Sequence, residues 1–161
     1  MKVELKNVKY AAFASEETNC FEATIYVNGN YAGHAHNEGH GGPTTIEPYT
    51  LEAQLNVYGK TLPRVVSEYT GDDGEEISWE QNAEWIVDNL VDEWLTTRDL
   101  KRAMKNKILF TRQGKVYETK RLTKETIERA RANPSMLKNL NAEKVLNFLP
   151  LNEAVEIYKA A

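Results

Sequence analysis

FEATIYVNGNYAGHAH, residues 21–36, alternates Phe21, Ala23, Ile25 and Val27 against Glu22, Thr24 and Tyr26. A period of two belongs to a strand with one buried face. Asn28-Gly29 follows, and both central positions of a type I′ turn need φ > 0, so this dipeptide predicts a tight hairpin whose return strand is Asn30 to His36. Upstream, Val3, Leu5 and Val8 punctuate a run of Lys and Glu and supply a third strand. The N-terminal third therefore reads as a three-stranded antiparallel meander. Asn37 to Pro48, with Gly39, Gly41, Gly42 and Pro43, reads as a loop.

Beyond the loop the period changes. Thr50 reads as an N-cap for a short helix through Leu51, Leu55 and Tyr58, stopped by Gly59 and Pro63. Gly71-Asp72-Asp73-Gly74 reads as an exposed turn. Ser78 reads as the cap of a longer helix, with Trp79, Ile86, Leu90 and Trp94 on its inner face and Glu80, Glu84, Asp88 and Asp92 at i, i+4 spacing on the opposite face. Thr97 reads as a second cap, opening a basic helix. Residues 108–110 and 115–117 form a second hairpin through Gln113-Gly114. Thr123 opens a helix ending before Asn133-Pro134, because the residue before proline disfavours the α region. A last helix begins near Asn152. The expected fold is α+β, a meander followed by a mainly helical half with one further hairpin. At 161 residues the chain reads as one domain, with a possible subdivision near 71–77 into a sheet-rich 1–70 and a helical 78–161.

The charge is unevenly spread. Residues 1–96 carry 17 acids and 5 bases, and residues 97–161 carry 7 acids and 15 bases, for a net charge of −4. Glu68 to Glu93 holds ten acids and no Lys or Arg, and Arg98 to Arg131 holds twelve bases against four acids. The two blocks either screen each other or present opposite fields to partners. Each like-charge i, i+4 pair in the row Glu80, Glu84, Asp88, Asp92 costs an isolated helix about 0.2–0.5 kcal/mol. Something must offset that: the basic segment, or a positively charged partner docking on the row. A regular row of carboxylates can imitate a phosphate backbone, which makes a nucleic-acid-binding protein a candidate partner.

Other chemistry is sparse. All three histidines lie in HAHNEGHGG, and His34 and His36, two apart on a strand, share a face. With His40 or Glu38 they form the candidate metal set, and a metal-dependent hydrolase is the rival reading built on them. The plainer reading places His34 and His36 on an exposed strand face and His40 in a turn, with no cofactor. Gly39, Gly41 and Gly42 lack the pattern of a phosphate loop. No Ser/His/Asp or Cys/His nucleophile system is identifiable, and nothing marks Cys20 as activated. The basic segment 98–121, with Phe110 and Tyr117, is a third possibility as a nucleic-acid-binding accessory surface. Its apolar residues alternate as buried hairpin residues do, so direct nucleic-acid binding is not the expected function. A single cysteine, no signal-type N-terminus and no 18-residue apolar run lead to the expectation of a soluble cytoplasmic protein.

FEATIYVNG, NEGHGG and the tail FLPLNEAVEIY together resemble a group of small uncharacterised proteins encoded by bacteriophages and prophages. The resemblance implies a context: small phage accessory proteins act stoichiometrically on host machinery or host defence, anti-CRISPR proteins among them. It assigns no residue a role. The expected function is thus a non-enzymatic interaction protein that binds and inhibits a host protein in the host cytoplasm, with Glu80, Glu84, Asp88 and Asp92 as its docking residues.

Overall fold

The computed structural model describes residues 1–160, with 41% helix and 29% strand in an α+β arrangement. The chain forms two compact units, Met1–Asp92 and Glu93–Ala161.

In the N-terminal unit, β1 (Val3–Tyr10), β2 (Phe21–Val27), β3 (Asn30–Asn37) and β4 (Thr45–Glu47) make an antiparallel sheet in the order β1-β2-β3-β4. The hairpin is the one that period two and Asn28-Gly29 predict: Val27 faces Asn30, Ala23 faces Ala35, and the turn residues have φ of 49° and 83°. Phe21, Ala23, Ile25, Ala35 and Ile46 are buried on one face. The fourth strand corrects the loop reading of 37–48, since Ile46 pairs with Ala35 and joins the buried set. Three residues flanked by Gly42-Pro43 and Pro48 are too few to show alternation. A Cβ on Gly33 would sit 1.9 Å from the Glu47 carbonyl oxygen, so only glycine lets the chain cross there.

Helix α1 (Tyr49–Gly59) buries Leu51 and Leu55 as their spacing predicts. Its N-cap is Pro48, not Thr50. Strands β5 (Val65–Thr70) and β6 (Glu76–Trp79) then form a separate two-stranded hairpin around the Gly71–Gly74 turn. Here the helix reading from Ser78 is corrected: Ser78 and Trp79 are strand residues, and Asn82 caps the helix by accepting the Trp85 N–H at 2.7 Å. Helix α2 (Ala83–Met104) runs without a break through Thr97, which is no second cap. Its buried residues are Ala83, Ile86, Val87, Val91 and Leu100, whereas Leu90 and Trp94 are half-buried and Trp79 is not on the helix. The acids at 84, 88 and 92 each follow one of the row 83, 87, 91, about 100° round the axis, so they border the buried stripe rather than oppose it.

In the C-terminal unit, β7 (Leu109–Arg112) pairs with β8 (Lys115–Glu118) and β9 (Lys144–Val145) in the order β8-β7-β9. Gln113 and Gly114 have φ of 52° and 72°, as a primed turn requires. Helix α3 (Lys124–Ala132) is capped by Thr123, whose hydroxyl oxygen accepts the Thr126 N–H. A 3-10 segment, Pro134–Leu140, and helix α4 (Leu151–Ala160) complete the unit. Leu100, Leu109, Leu146, Ala154 and Val155 form one buried cluster, and Ile108, Ile127 and Ala130 another. No helix among the described residues is long and apolar enough to cross a membrane.

Candidate functional site

The acidic row meets its own unit. The Glu84 Oε1 accepts the Thr44 N–H at 2.9 Å, and the Asp88 Oδ1 accepts the Thr44 hydroxyl at 2.6 Å. One residue later in the row of fours, Asp92 Oδ1 accepts the Asn19 Nδ2–H at 2.8 Å. Glu80 stands 4.0 Å from the Arg64 guanidinium, which also donates to Ser78. Hydrogen bonds to charged acceptors are stronger than neutral ones, and they offset the like-charge cost that the spacing imposes. Three of the four carboxylates therefore hold the loops of the N-terminal unit against α2. Thr44, which lies 40 and 44 residues from its partners, and Asn19, which lies 73 from its own, make this possible, and no local pattern announces them.

The glycine loop is built around Asn37. This buried side chain accepts from the Thr18 hydroxyl and the Gly39 N–H, each at 2.8 Å, and donates to the Gly42 carbonyl and to Thr44 Oγ1. The Gly39 carbonyl oxygen in turn accepts the N–H groups of Glu16, Glu17 and Thr18. Thr18 Oγ1 takes the Gly41 N–H at 3.3 Å. Loop amides that an anion would need at Gly39 and Gly41 are thus spent inside the fold.

Burial pushes the Asp88 carboxyl above the usual aspartate range; the Thr44 hydroxyl pulls it back, and Glu84 and Asp92 push it further up. A raised folded-state pKa means that the group's stabilising contribution is fully present below the ordinary aspartate pKa and is lost as the pH rises through the raised value. At neutral pH the ionised Asp88 is a burden on the fold. Asn at this position keeps an oxygen for the Thr44 hydroxyl and removes the charge. Asp88→Asn is expected to melt higher than the parent at pH 7, with the gap closing in acid as the parent's Asp88 protonates. Thermal melts across that pH range check this, and a variant that melts lower at every pH would refute it.

The histidines do not gather. His34 and His36 do share the exposed face of β3, opposite Thr24 and Glu22, with His34 Nε2 within 2.8 Å of the Tyr31 hydroxyl. His40 pairs instead with Glu16 at 3.2 Å on the glycine loop. No group of three His, Cys, Asp or Glu side chains among the described residues is placed to hold a metal ion. Depressions on this unit are open ones, of about 450 Å³ beside His34 and His36 and about 270 Å³ beside Asp88 and Asp92.

Phe13, Tyr31, Tyr49 and Val57 are exposed singly on other elements, whereas the β5–β6 hairpin gathers several exposed apolar side chains within one acidic element. Tyr69 is 79% exposed, Val66 52% and Ile77 44%, and Glu68, Asp72, Asp73, Glu75 and Glu76 are exposed around them. Trp79 and Trp85 meet edge to face at 5.8 Å near its foot. Sequence reading missed this element because a bulged strand pair with both faces largely in solvent shows no alternation. The pile of acids between Val65-Val66 and Ile77 was the available signal.

Compared with known proteins, the chain matches no family model, no curated protein and no solved structure.

Proposed function

We propose that the chain is a non-enzymatic interaction protein, phage-encoded as its resemblance implies, that binds and inhibits a host protein in the host cytoplasm. A component of host defence is the favoured target, which makes the protein anti-CRISPR-like in role. The observation that carries this reading is the β5–β6 hairpin, an acidic arm that keeps Val66, Tyr69 and Ile77 in water. A two-stranded sheet on its own is marginal in water. Covering such side chains contributes about 1.5–3 kcal/mol each, so a partner with an apolar patch ringed by Lys and Arg would gain from both terms.

Docking moves with that reading from the acidic row to the arm. Glu84, Asp88 and Asp92 are engaged by Thr44 and Asn19, and of the row only Glu80 adjoins the hairpin. The rival hydrolase needs His34, His36 and His40 around one ion, and His40 is instead on Glu16.

Affinity capture with the intact protein as bait tests the proposal. A stoichiometric inhibitor retains one dominant partner from a bacterial lysate, and the purified partner rebinds with an association rate that falls steeply with salt. The double variant Tyr69→Ala with Ile77→Asp is expected to weaken that rebinding by at least about 100-fold, as loss of two central anchors does, with its melting temperature close to the parent's. Undiminished rebinding by this variant, or the lack of any dominant partner, would overturn the proposal.

A further inference from the structure

The C-terminal unit carries 15 bases and 8 acids over residues 93–161, against 5 bases and 16 acids over residues 1–92. Its cations are not scattered evenly. Backbone hydrogen bonds join the segment after α2 to the segment after β8: the Leu122 N–H donates to the Asn106 carbonyl at 2.7 Å, and the Thr119 N–H to the Ile108 carbonyl at 3.0 Å. The Ile108 N–H returns a bond to Thr119 Oγ1. This stitching lays Lys120 and Arg121 alongside Lys105 and Lys107, with Lys101 and Arg102 one helical turn back on α2.

Of these six, Lys107 pairs with Glu118. Lys101, Arg102, Lys105, Lys120 and Arg121 are exposed and have no carboxylate at ion-pair distance among the described residues. Elsewhere in the unit Arg98, Lys144 and Lys159 have acid partners, and the cations without one, such as Lys124, Arg129 and Lys138, lie on other segments that these backbone bonds do not join to the seam. Five unneutralised cations on two joined segments repel one another, and that cost is recovered when a polyanion lies along them.

We propose that this seam binds the phosphate backbone of a nucleic acid. The occupant is a backbone and not a base, because the nearby aromatic Tyr117 is already stacked on Phe110 at 5.9 Å and covered by the Arg112 guanidinium at 4.6 Å. Binding is therefore insensitive to sequence and rests on counterion release. The net charge of −4 does not prevent it, since at physiological salt a charge is screened beyond about 8 Å. The site goes beyond the protein partner proposed above and stands without it.

Fluorescence anisotropy with the full chain and a labelled DNA duplex of about 20 base pairs, titrated between about 50 and 200 mM salt, tests the seam. The parent is expected to bind at low salt, with log K falling linearly in log salt. Lys120→Gln with Arg121→Gln should flatten that slope by about two, one per lost phosphate contact, and weaken binding at low salt at least about tenfold. A single Lys105→Gln, on the other joined segment, should flatten it by about one and keeps the test open should the double variant not fold. Lys138→Gln removes a charge outside the two segments and should leave the slope unchanged. No binding by the parent at low salt would overturn the proposal, as would equal losses in the Lys105 and Lys138 variants. So would concentration-dependent self-association that the seam variants abolish, because the seam would then receive the acidic unit of a second copy.

Discussion

Asn147→Ala is expected to lower the stability of the C-terminal unit by about 3–5 kcal/mol. Asn147 is buried at 7% exposure, and its side chain satisfies three backbone groups that nothing local can reach. Its Oδ1 accepts the Leu109 N–H at 2.8 Å, and its Nδ2 donates to the carbonyls of Lys107 at 2.8 Å and Met104 at 3.2 Å. Met104 is the last residue of α2, so one amide both closes that helix and fixes the start of β7. Each buried group left unpaired costs about 1–3 kcal/mol, less whatever entering water restores. Against a whole stability of about 5–15 kcal/mol this is enough to populate unfolded chains under mild stress. Asn147→Asp keeps the acceptor for Leu109 but turns a buried carboxylate oxygen toward the carbonyls of Lys107 and Met104, so at neutral pH its urea midpoint should fall at or below that of the alanine variant. An alanine variant with an unchanged midpoint would show that the three groups are satisfied in another way.

The contrast between this residue and the β2–β3 hairpin explains what the sequence shows and what it hides. Alternation over Phe21 to Val27 and the φ > 0 demand of Asn28-Gly29 are local constraints, and local constraints can be read from neighbours. The Thr123 cap and the Gln113-Gly114 turn are legible for the same reason. Strand β4 has only three residues and exists because β3 offers an edge to pair with. The β5–β6 arm has little buried face, hence no alternation, and Trp79 ends its second strand four residues before the helix begins.

The candidate site divides along the same line. The acidic row was visible as spacing, and so was its need for compensation. Its partners were not, because Thr44 and Asn19 are ordinary loop residues until the fold brings them to α2. Likewise Trp94, expected to anchor a core, is half-buried beside Arg98 at 5.2 Å, while Leu100, six residues on, is fully buried. Spacing alone puts residues on a face, and only packing decides which part of the face is covered.

Gly39→Ala is expected to cost the N-terminal unit about 3–5 kcal/mol, while Gly29→Ala, at nearly the same backbone angle, costs about 1 kcal/mol. Their φ values are 89° and 83°, so the strain of giving an L side chain this conformation is common to both. Their surroundings differ. A Cβ on Gly29 meets nothing within 4 Å, whereas one on Gly39 lies 2.0 Å from the Ala14 carbonyl oxygen and 2.9 Å from the Cys20 Cβ. Main chain must move to admit it, and that main chain is held by the Gly39 carbonyl, which accepts three N–H groups from residues 16–18. Forcing it open also pulls on Asn37 and, through Asn37, on Thr44, whose N–H and hydroxyl hold Glu84 and Asp88. Hydrogen exchange should therefore show faster opening at the Thr44 amide in Gly39→Ala and not in Gly29→Ala, with urea midpoints separating in the same order. Equal midpoints would mean that strain alone sets both costs and that the loop is not locked onto residues 14–20. A lower midpoint for Gly39→Ala with Thr44 still protected would break the chain between loop and helix, leaving the acidic row held by something other than the Asn37 network.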